Sequence, residues 1–257
     1  MRAQALPSSA GWRWLLGGLA IYRRNPPILS LLVVAYWFSI VILDSLPVLG
    51  PVLASLVLPG LAVGLMQAAR NVERGAGVGL ATLFGSFRDN PRTLLALGAL
   101  YLCCSLGALG ISALFDGGDL MKYVLADSKA ERAALEDNDF TLSILVVMVV
   151  LLPVMMANWF APVLAAWHRL PLFKSLFFSL VACIMNWRPF VTYGLALFVF
   201  AAIIPALLLA LLLLIFPGAA QFMVALVMTP MMLIVAPVVF ASFYACYHEI
   251  FGVSEIV

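Results

Sequence analysis

Residues 189–216 read PFVTYGLALFVFAAIIPALLLALLLLIF and contain no charged side chain. An α-helix needs about 20 apolar residues to cross the roughly 30 Å of hydrocarbon in a bilayer, so this stretch is long enough to span it. Five further apolar segments are of comparable length: 28–46, 50–69, 93–115, 141–167 and 221–247. The pattern predicts an all-α integral membrane protein with six transmembrane helices.

The composition supports the same fold class. The chain has 257 residues, of which 65% are hydrophobic and 10% are charged, and its mean hydropathy is +1.13. An ordinary soluble domain is nearer half apolar and about a quarter charged. A water-soluble fold is therefore excluded, and the net charge of +2 gives no reason to expect a nucleic-acid partner.

The basic residues are distributed unevenly between the two sides of the predicted spans. Three of the 14 Lys and Arg lie in the acidic loop 116–140. The others are on the opposite side: Arg2, Arg13, Arg23, Arg24, Arg70, Arg74, Arg88, Arg92, Arg169, Lys174 and Arg188. Because short basic loops stay in the cytoplasm, we expect a multi-pass protein of the bacterial inner membrane. Both termini should be cytoplasmic and loop 116–140 periplasmic, with a helix at about 127–136 that is a solvated cap or docks a partner.

A degenerate pattern recurs before the first, third and fifth spans. An amphipathic or apolar stretch, at 12–16, 80–84 and 172–178, leads to a basic corner containing Asn and Pro. The corners are Arg23-Arg24-Asn25-Pro26, Arg88-Asp89-Asn90-Pro91 and Asn186-Trp187-Arg188-Pro189. We expect Asn to cap or turn the chain and Pro to occupy the first helical turn. The pattern predicts three cytoplasmic-side interfacial helices in a single domain, 1–257, with an approximate threefold repeat over 9–76, 77–170 and 171–257.

The even-numbered spans each contain an internal proline, namely Pro59, Pro162 and Pro237. Proline removes one backbone hydrogen bond and leaves a carbonyl without its helical donor. Such kinks line cavities in transporters, but they are also tolerated where neighbouring helices satisfy the backbone. Both interpretations stay open at this stage.

Polar residues within the spans are few. Asn158 and Gln67 are candidates for interhelical hydrogen bonds or, alternatively, for contacts to a transported substrate. His168 and His248 lie near the ends of the fourth and sixth spans, beside aromatic residues. Two histidines do not complete a metal site, so we interpret them as anchors at the membrane interface.

Basic and aromatic side chains alternate around the three corners. We expect them to form a cationic aromatic belt that contacts anionic lipid, since each Lys or Arg near an anionic surface contributes about 1 kcal/mol. The candidates are Arg23, Arg24, Arg88, Arg92, Lys174, Arg188, Trp12, Trp14 and Trp187.

No sequence motif for catalysis or cofactor binding is present. The run Gly75-Ala76-Gly77-Val78-Gly79 lacks the Lys-Ser/Thr that a phosphate-binding loop requires, and the four cysteines have no metal-ligand spacing. We therefore expect no enzymatic activity, no cofactor and no metal.

The start Gly11-Trp12-Arg13-Trp14-Leu15, with Arg23-Arg24-Asn25-Pro26, resembles a family of uncharacterised six-span inner-membrane proteins of proteobacteria. The likeness continues through Asn186-Trp187-Arg188-Pro189 to Tyr247-His248-Glu249. More distantly, the layout is similar to the membrane domain attached to some bacterial glycerophosphodiester phosphodiesterases. The resemblance implies a fold and a location, and it implies no activity.

Two functions fit these observations. The leading hypothesis is a non-enzymatic accessory or scaffold protein that associates with anionic lipid or with a membrane-protein partner. The alternative is a small-solute or lipid transporter whose path runs between the second, fourth and sixth spans.

Overall fold

The computed structural model describes residues 3–47, 49–88, 90–126 and 139–252, and within these ranges it contains helices and connecting turns. The helix expected at 127–136 lies outside the described residues. The helices are α1 (Ala10–Arg24), α2 (Pro26–Asp44), α3 (Gly50–Glu73), α4 (Leu80–Gly85), α5 (Pro91–Asp116), α6 (Asp119–Leu125), α7 (Thr141–Trp159), α8 (Ala161–His168), α9 (Leu172–Met185), α10 (Trp187–Phe198), α11 (Ile204–Ile215), α12 (Ala220–Pro230) and α13 (Ala236–Phe251).

Six stretches of helix in the described ranges are long and apolar enough to cross a bilayer, which confirms the six-span prediction. They are Pro26–Asp44, Gly50–Glu73, Pro91–Asp116, Thr141–His168, Trp187–Ile215 and Pro217–Phe251. The last three are composite. A break at Phe160 separates α7 from α8, and single π-helical turns interrupt the fifth span at Val199–Ile203 and the sixth at Met231–Val235.

At the basic corners, proline and asparagine lie where they were expected, but the asparagine side chains do not form capping bonds. Pro26 and Pro91 are the first residues of α2 and α5, where the missing N–H costs nothing. Each asparagine immediately precedes its helix, Asn25 at a bend and Asn186 at a turn, but none makes a side-chain capping bond, so the cap-or-turn prediction is wrong only for the capping bond. Asn90 instead donates to Ala165 O at 3.2 Å, and buried Asn186 accepts from the Leu6 amide at 2.9 Å. These two side chains join their corners to other parts of the fold.

The helices that precede the corners are packed into the bundle. Along α1, Gly18 lies so close to α13 that a Cβ would be 2.5 Å from Val238 O. Helix α4 rests on α3, where a Cβ at Gly64 would be 2.0 Å from Leu83 O. Helix α9 packs against α7 and α8. The threefold repeat and the interfacial position of these helices stay predictions.

Neighbouring hydroxyl groups satisfy the backbone at the proline sites. Leu233 O, four residues before Pro237, accepts from Ser30 Oγ and from Tyr22 Oη at 3.2 Å. At the break before Pro162, the Phe160 amide donates to Ser179 Oγ at 2.9 Å, and this hydroxyl donates to Met156 O at 2.8 Å. Such side-chain bonds are what make proline tolerable within a membrane helix.

Helix α3 receives a hydroxyl bond of the same kind. Pro59 lies inside a continuous helix, and Ser86 Oγ, from the turn that follows α4, donates to Gly60 O at 2.6 Å. Hydroxyl groups from other parts of the fold therefore bond to the backbone near all three prolines, although the carbonyl that Pro59 frees, Ser55 O, is not the one that Ser86 bonds.

Candidate functional site

The ends of the second, fourth and sixth spans lie close together. Arg24 Nη1 donates to Glu73 O, at the end of α3, at 2.6 Å. His168 Nε2, at the end of α8, is hydrogen-bonded to Tyr247 Oη of α13 at 2.6 Å. We call this the basic end, because the N-terminal segment and the Arg-rich corners lie on the same side of the spans. The side of the membrane that it faces stays a prediction.

A cavity of about 320 Å³ opens at the basic end between α1, α3 and α13. Its charged lining comes from all three helices: Arg13 and Arg24 from α1, Glu73 from α3, and His248 and Glu249 from α13. The rest of its wall is formed by Trp14, Gly17, Ala20, Ile21 and Ala245. We call this site the basic-end cavity.

Hydrogen bonds fix the position of both acidic groups in the cavity. Arg13 forms an ion pair with Glu249 and also donates to Ser9 Oγ at 3.1 Å. Tyr244 donates its hydroxyl to Glu73 Oε2 at 2.6 Å. The cations therefore stand on the α1 wall of the cavity, and the carboxylates stand on the α3 and α13 walls.

A second group of polar and aromatic side chains lies beside the cavity. The guanidinium of Arg70 is 4.8 Å from the ring centroid of Trp167, within the range of a cation–π interaction. Trp167 in turn packs edge-to-face on Tyr247, which is the partner of His168. In the described ranges, no group of three or more His, Cys, Asp or Glu side chains is arranged to hold a metal ion.

Most of the predicted belt residues are exposed, but Trp14 is not. Its side chain is 1% exposed and packs edge-to-face on Phe190 and Tyr193, so its assignment to the lipid interface is wrong. An amphipathic helix that packs on other helices has the same sequence pattern as one that lies on a membrane. The exposed candidates are Arg23, Arg24, Arg88, Arg92, Lys174, Arg188, Trp12 and Trp187.

The two polar candidates within the spans bond within their own helices. Asn158 Nδ2 donates to Val154 O at 3.0 Å, and Gln67 Nε2 donates to Asn71 Oδ1 at 2.7 Å. In the described part of the chain, neither makes the interhelical bond that we expected. Both side chains are half-buried.

Glu73 is a site residue that the sequence analysis missed. It stands among Arg70 and Arg74 at the end of a span, and an isolated acid in a basic segment was the signal that could have found it. Its cavity partners are far away in the sequence, which gives no direct sign of their proximity.

The whole length of the chain has a curated relative. This chain is 35% identical over 261 residues to a probable inner membrane protein of Burkholderia thailandensis, and the match covers 99% of this chain and 96% of the relative. The chain belongs to the family of this inner membrane protein. With the six apolar spans, membership in the family supports a multi-pass protein of the inner membrane. No family model and no solved structure matches the chain.

Proposed function

We propose that this member of the family is a non-enzymatic accessory protein that binds anionic lipid head groups at its basic end. The lipid-binding surface is the cationic belt, which we define as Arg23, Arg88, Arg92, Lys174 and Arg188 together with the exposed Trp12 and Trp187. Arg24 is left out of the belt because it is bonded to Glu73.

The observation that carries the proposal is the absence of protein acceptors around these cations. Within the described ranges, none of these five side chains forms a hydrogen bond or an ion pair, and the Arg188 guanidinium lies over the Trp187 ring, 5.3 Å from its centroid. Arg23, Arg88, Arg92 and Arg188 lie at the three corners where spans begin, and Lys174 lies in α9, which leads to the third corner. Exposed cations beside exposed aromatic rings at the ends of spans are suited to anionic head groups, which attract each of them by about 1 kcal/mol.

The packing between the kinked spans favours this role over transport. Of the three prolines at the predicted kinks, Pro59 and Pro237 are buried, and Pro162 is half-buried beside the buried Phe160. The polar groups expected to contact a solute, on Asn158 and Gln67, are used by their own helices.

Native mass spectrometry of the detergent-purified protein tests the proposal. We expect the wild type to retain phosphatidylglycerol in preference to phosphatidylcholine. A variant with Arg88→Gln, Arg92→Gln, Lys174→Gln and Arg188→Gln should lose most of that preference, because the exposed charges are removed while no side-chain hydrogen bond or ion pair of the described residues is lost.

The matched control is Lys122→Gln, an exposed cation in α6 that already pairs with Asp119 at 2.8 Å. It should leave lipid retention unchanged. Equal retention of phosphatidylglycerol by the wild type and the quadruple variant would contradict lipid binding by the belt. The expected membrane-protein partner and the distant likeness to the phosphodiesterase membrane domain stay predictions.

A further inference from the structure

The basic-end cavity differs from the cationic belt in its charge balance. Its lining contains two arginines, Arg13 and Arg24, and two glutamates, Glu73 and Glu249. The formal charges of these four side chains cancel. A site for a simple anion would be basic throughout, whereas a cavity with cations on one wall and carboxylates on the others is complementary to a ligand that carries both charges.

The charged side chains of the cavity retain unused hydrogen-bonding capacity. Arg24 uses one guanidinium nitrogen on Glu73 O, although a guanidinium has five N–H donors. Glu73 accepts from Tyr244 through Oε2, and Glu249 accepts from Arg13 through Oε1. The second oxygen of each carboxylate has no hydrogen-bond partner in the described part of the chain. Donors therefore remain on the α1 wall and acceptors on the opposite walls.

The cavity has room for a small ligand. Its volume of about 320 Å³ lies at the lower end of the range for small-molecule sites, roughly 300–1,000 Å³. Gly17, Ala20 and Ala245 keep the walls short. Trp14, which also lines the cavity, has a buried indole N–H with no hydrogen-bond partner among the described residues.

The cavity lies where phospholipid head groups are found. The second span ends at Glu73, and the sixth ends at Phe251, just beyond Glu249. The ends of membrane spans lie at the level of the polar head groups. We propose that the cavity binds a phosphoethanolamine group, with its phosphate on Arg24 and its primary ammonium between Glu73 and Glu249. Arginine suits phosphate because it can donate two parallel hydrogen bonds, and a primary ammonium supplies three donors for carboxylate oxygens.

Ligand binding to the purified full-length protein in neutral detergent tests this assignment. The probes are short-chain phosphatidylethanolamine, phosphatidylglycerol and phosphatidylcholine, and free phosphoethanolamine. Phosphatidylglycerol lacks the amine, and the choline group has no N–H donor. In the quadruple belt variant, where phosphatidylglycerol held by the belt does not contribute, we expect phosphatidylethanolamine or free phosphoethanolamine to bind at least about tenfold more tightly than the other two lipids, as charge-assisted bonds to an ammonium require. Binding of the free compound alone would identify a soluble ligand, and binding of the lipid would identify a head group.

Two variants and a matched control connect the binding to the cavity. Glu73→Gln keeps an acceptor for Tyr244 but removes the charge, so it should weaken phosphoethanolamine binding at least about tenfold. Arg24→Gln should weaken it to a similar extent. Lys122→Gln changes an exposed cation outside both the cavity and the belt, and it should leave phosphoethanolamine binding unaltered. Melting temperatures without ligand verify that all three variants fold.

Three results would overturn the proposal: no binding by any probe, equal binding of the three lipids, or unchanged binding by Glu73→Gln. Each would leave the charged residues as a structural ion-pair network. The quadruple belt variant should bind phosphoethanolamine as the wild type does, because this site is separate from the belt. The two proposals can therefore fail independently.

Discussion

The basic end of the molecule and the opposite end are packed very differently. In the second span, 50% of an apolar stretch of 18 residues is buried. The residues close to the end of this span form the core with α1, α8 and α13. In the fifth span, Trp187–Ile215, the corresponding buried share is 0%. Lipid chains are as apolar as leucine, so apolar character alone does not bring membrane helices together.

Small and hydroxyl-bearing residues account for the difference. At the basic end, Gly11, Gly18 and Gly64 let backbones touch, and Ser179 and Ser242 bond across helices. The stretch 206–215, which reads ALLLALLLLI, has no glycine and no hydroxyl-bearing residue. Close packing in a membrane needs such residues, so the basic end is expected to determine the stability of the protein.

The largest effect should come from adding one methyl group at a backbone contact. Gly64→Ala would put a Cβ 2.0 Å from Leu83 O, and a backbone atom cannot move aside as a side chain can. We expect a loss of about 3 kcal/mol, at the upper end for overpacking, measured as a lower melting temperature in detergent. Gly107→Ala, with no atom within 4 Å of the added Cβ, should be neutral or slightly stabilising.

Paired leucine truncations compare the two ends directly. Leu164 in α8 is fully buried, whereas Leu214 in α11 is 80% exposed. Leu164→Ala should lower the free energy of unfolding by about 2 kcal/mol, because the cavity that it leaves removes packing contacts. Leu214→Ala should change it by less than about 0.5 kcal/mol. Similar losses of stability at both positions would mean that the surroundings of Leu214 are packed as tightly as those of Leu164.

A smaller effect is expected from the hydroxyl at the break in the fourth span. Ser179→Ala leaves the buried Phe160 amide without its acceptor, which should cost about 1–2 kcal/mol. Ser105→Ala is the control, since that hydroxyl bonds only to Tyr101 O of its own helix. Thermal unfolding of the two variants measures the difference, and equal melting temperatures would exclude a structural role for the Ser179 bond.

The spans were predictable from sequence because length and apolar character determine them locally. Pro26 and Pro91 begin their helices for an equally local reason. The interhelical contacts were not predictable, since they join residues far apart, as Arg13 and Glu249 are. Trp14 shows the limit, because its helix pattern fits a membrane surface as well as a buried interface. The single acid Glu73 gave a signal, but its role depends on the position of α13.

Cysteine labelling at two neighbouring positions of α13 tests the central claim, which is that the basic end combines a close-packed core with an open cavity. Cys246 is fully buried, and His248 is exposed and lines the cavity. A His248→Cys variant is treated with a water-soluble maleimide, and the labelled peptides are identified by mass spectrometry. We predict rapid labelling at position 248 and labelling of Cys246 only after denaturation. Labelling of Cys246 in the folded protein at a rate similar to that at position 248 would contradict the account.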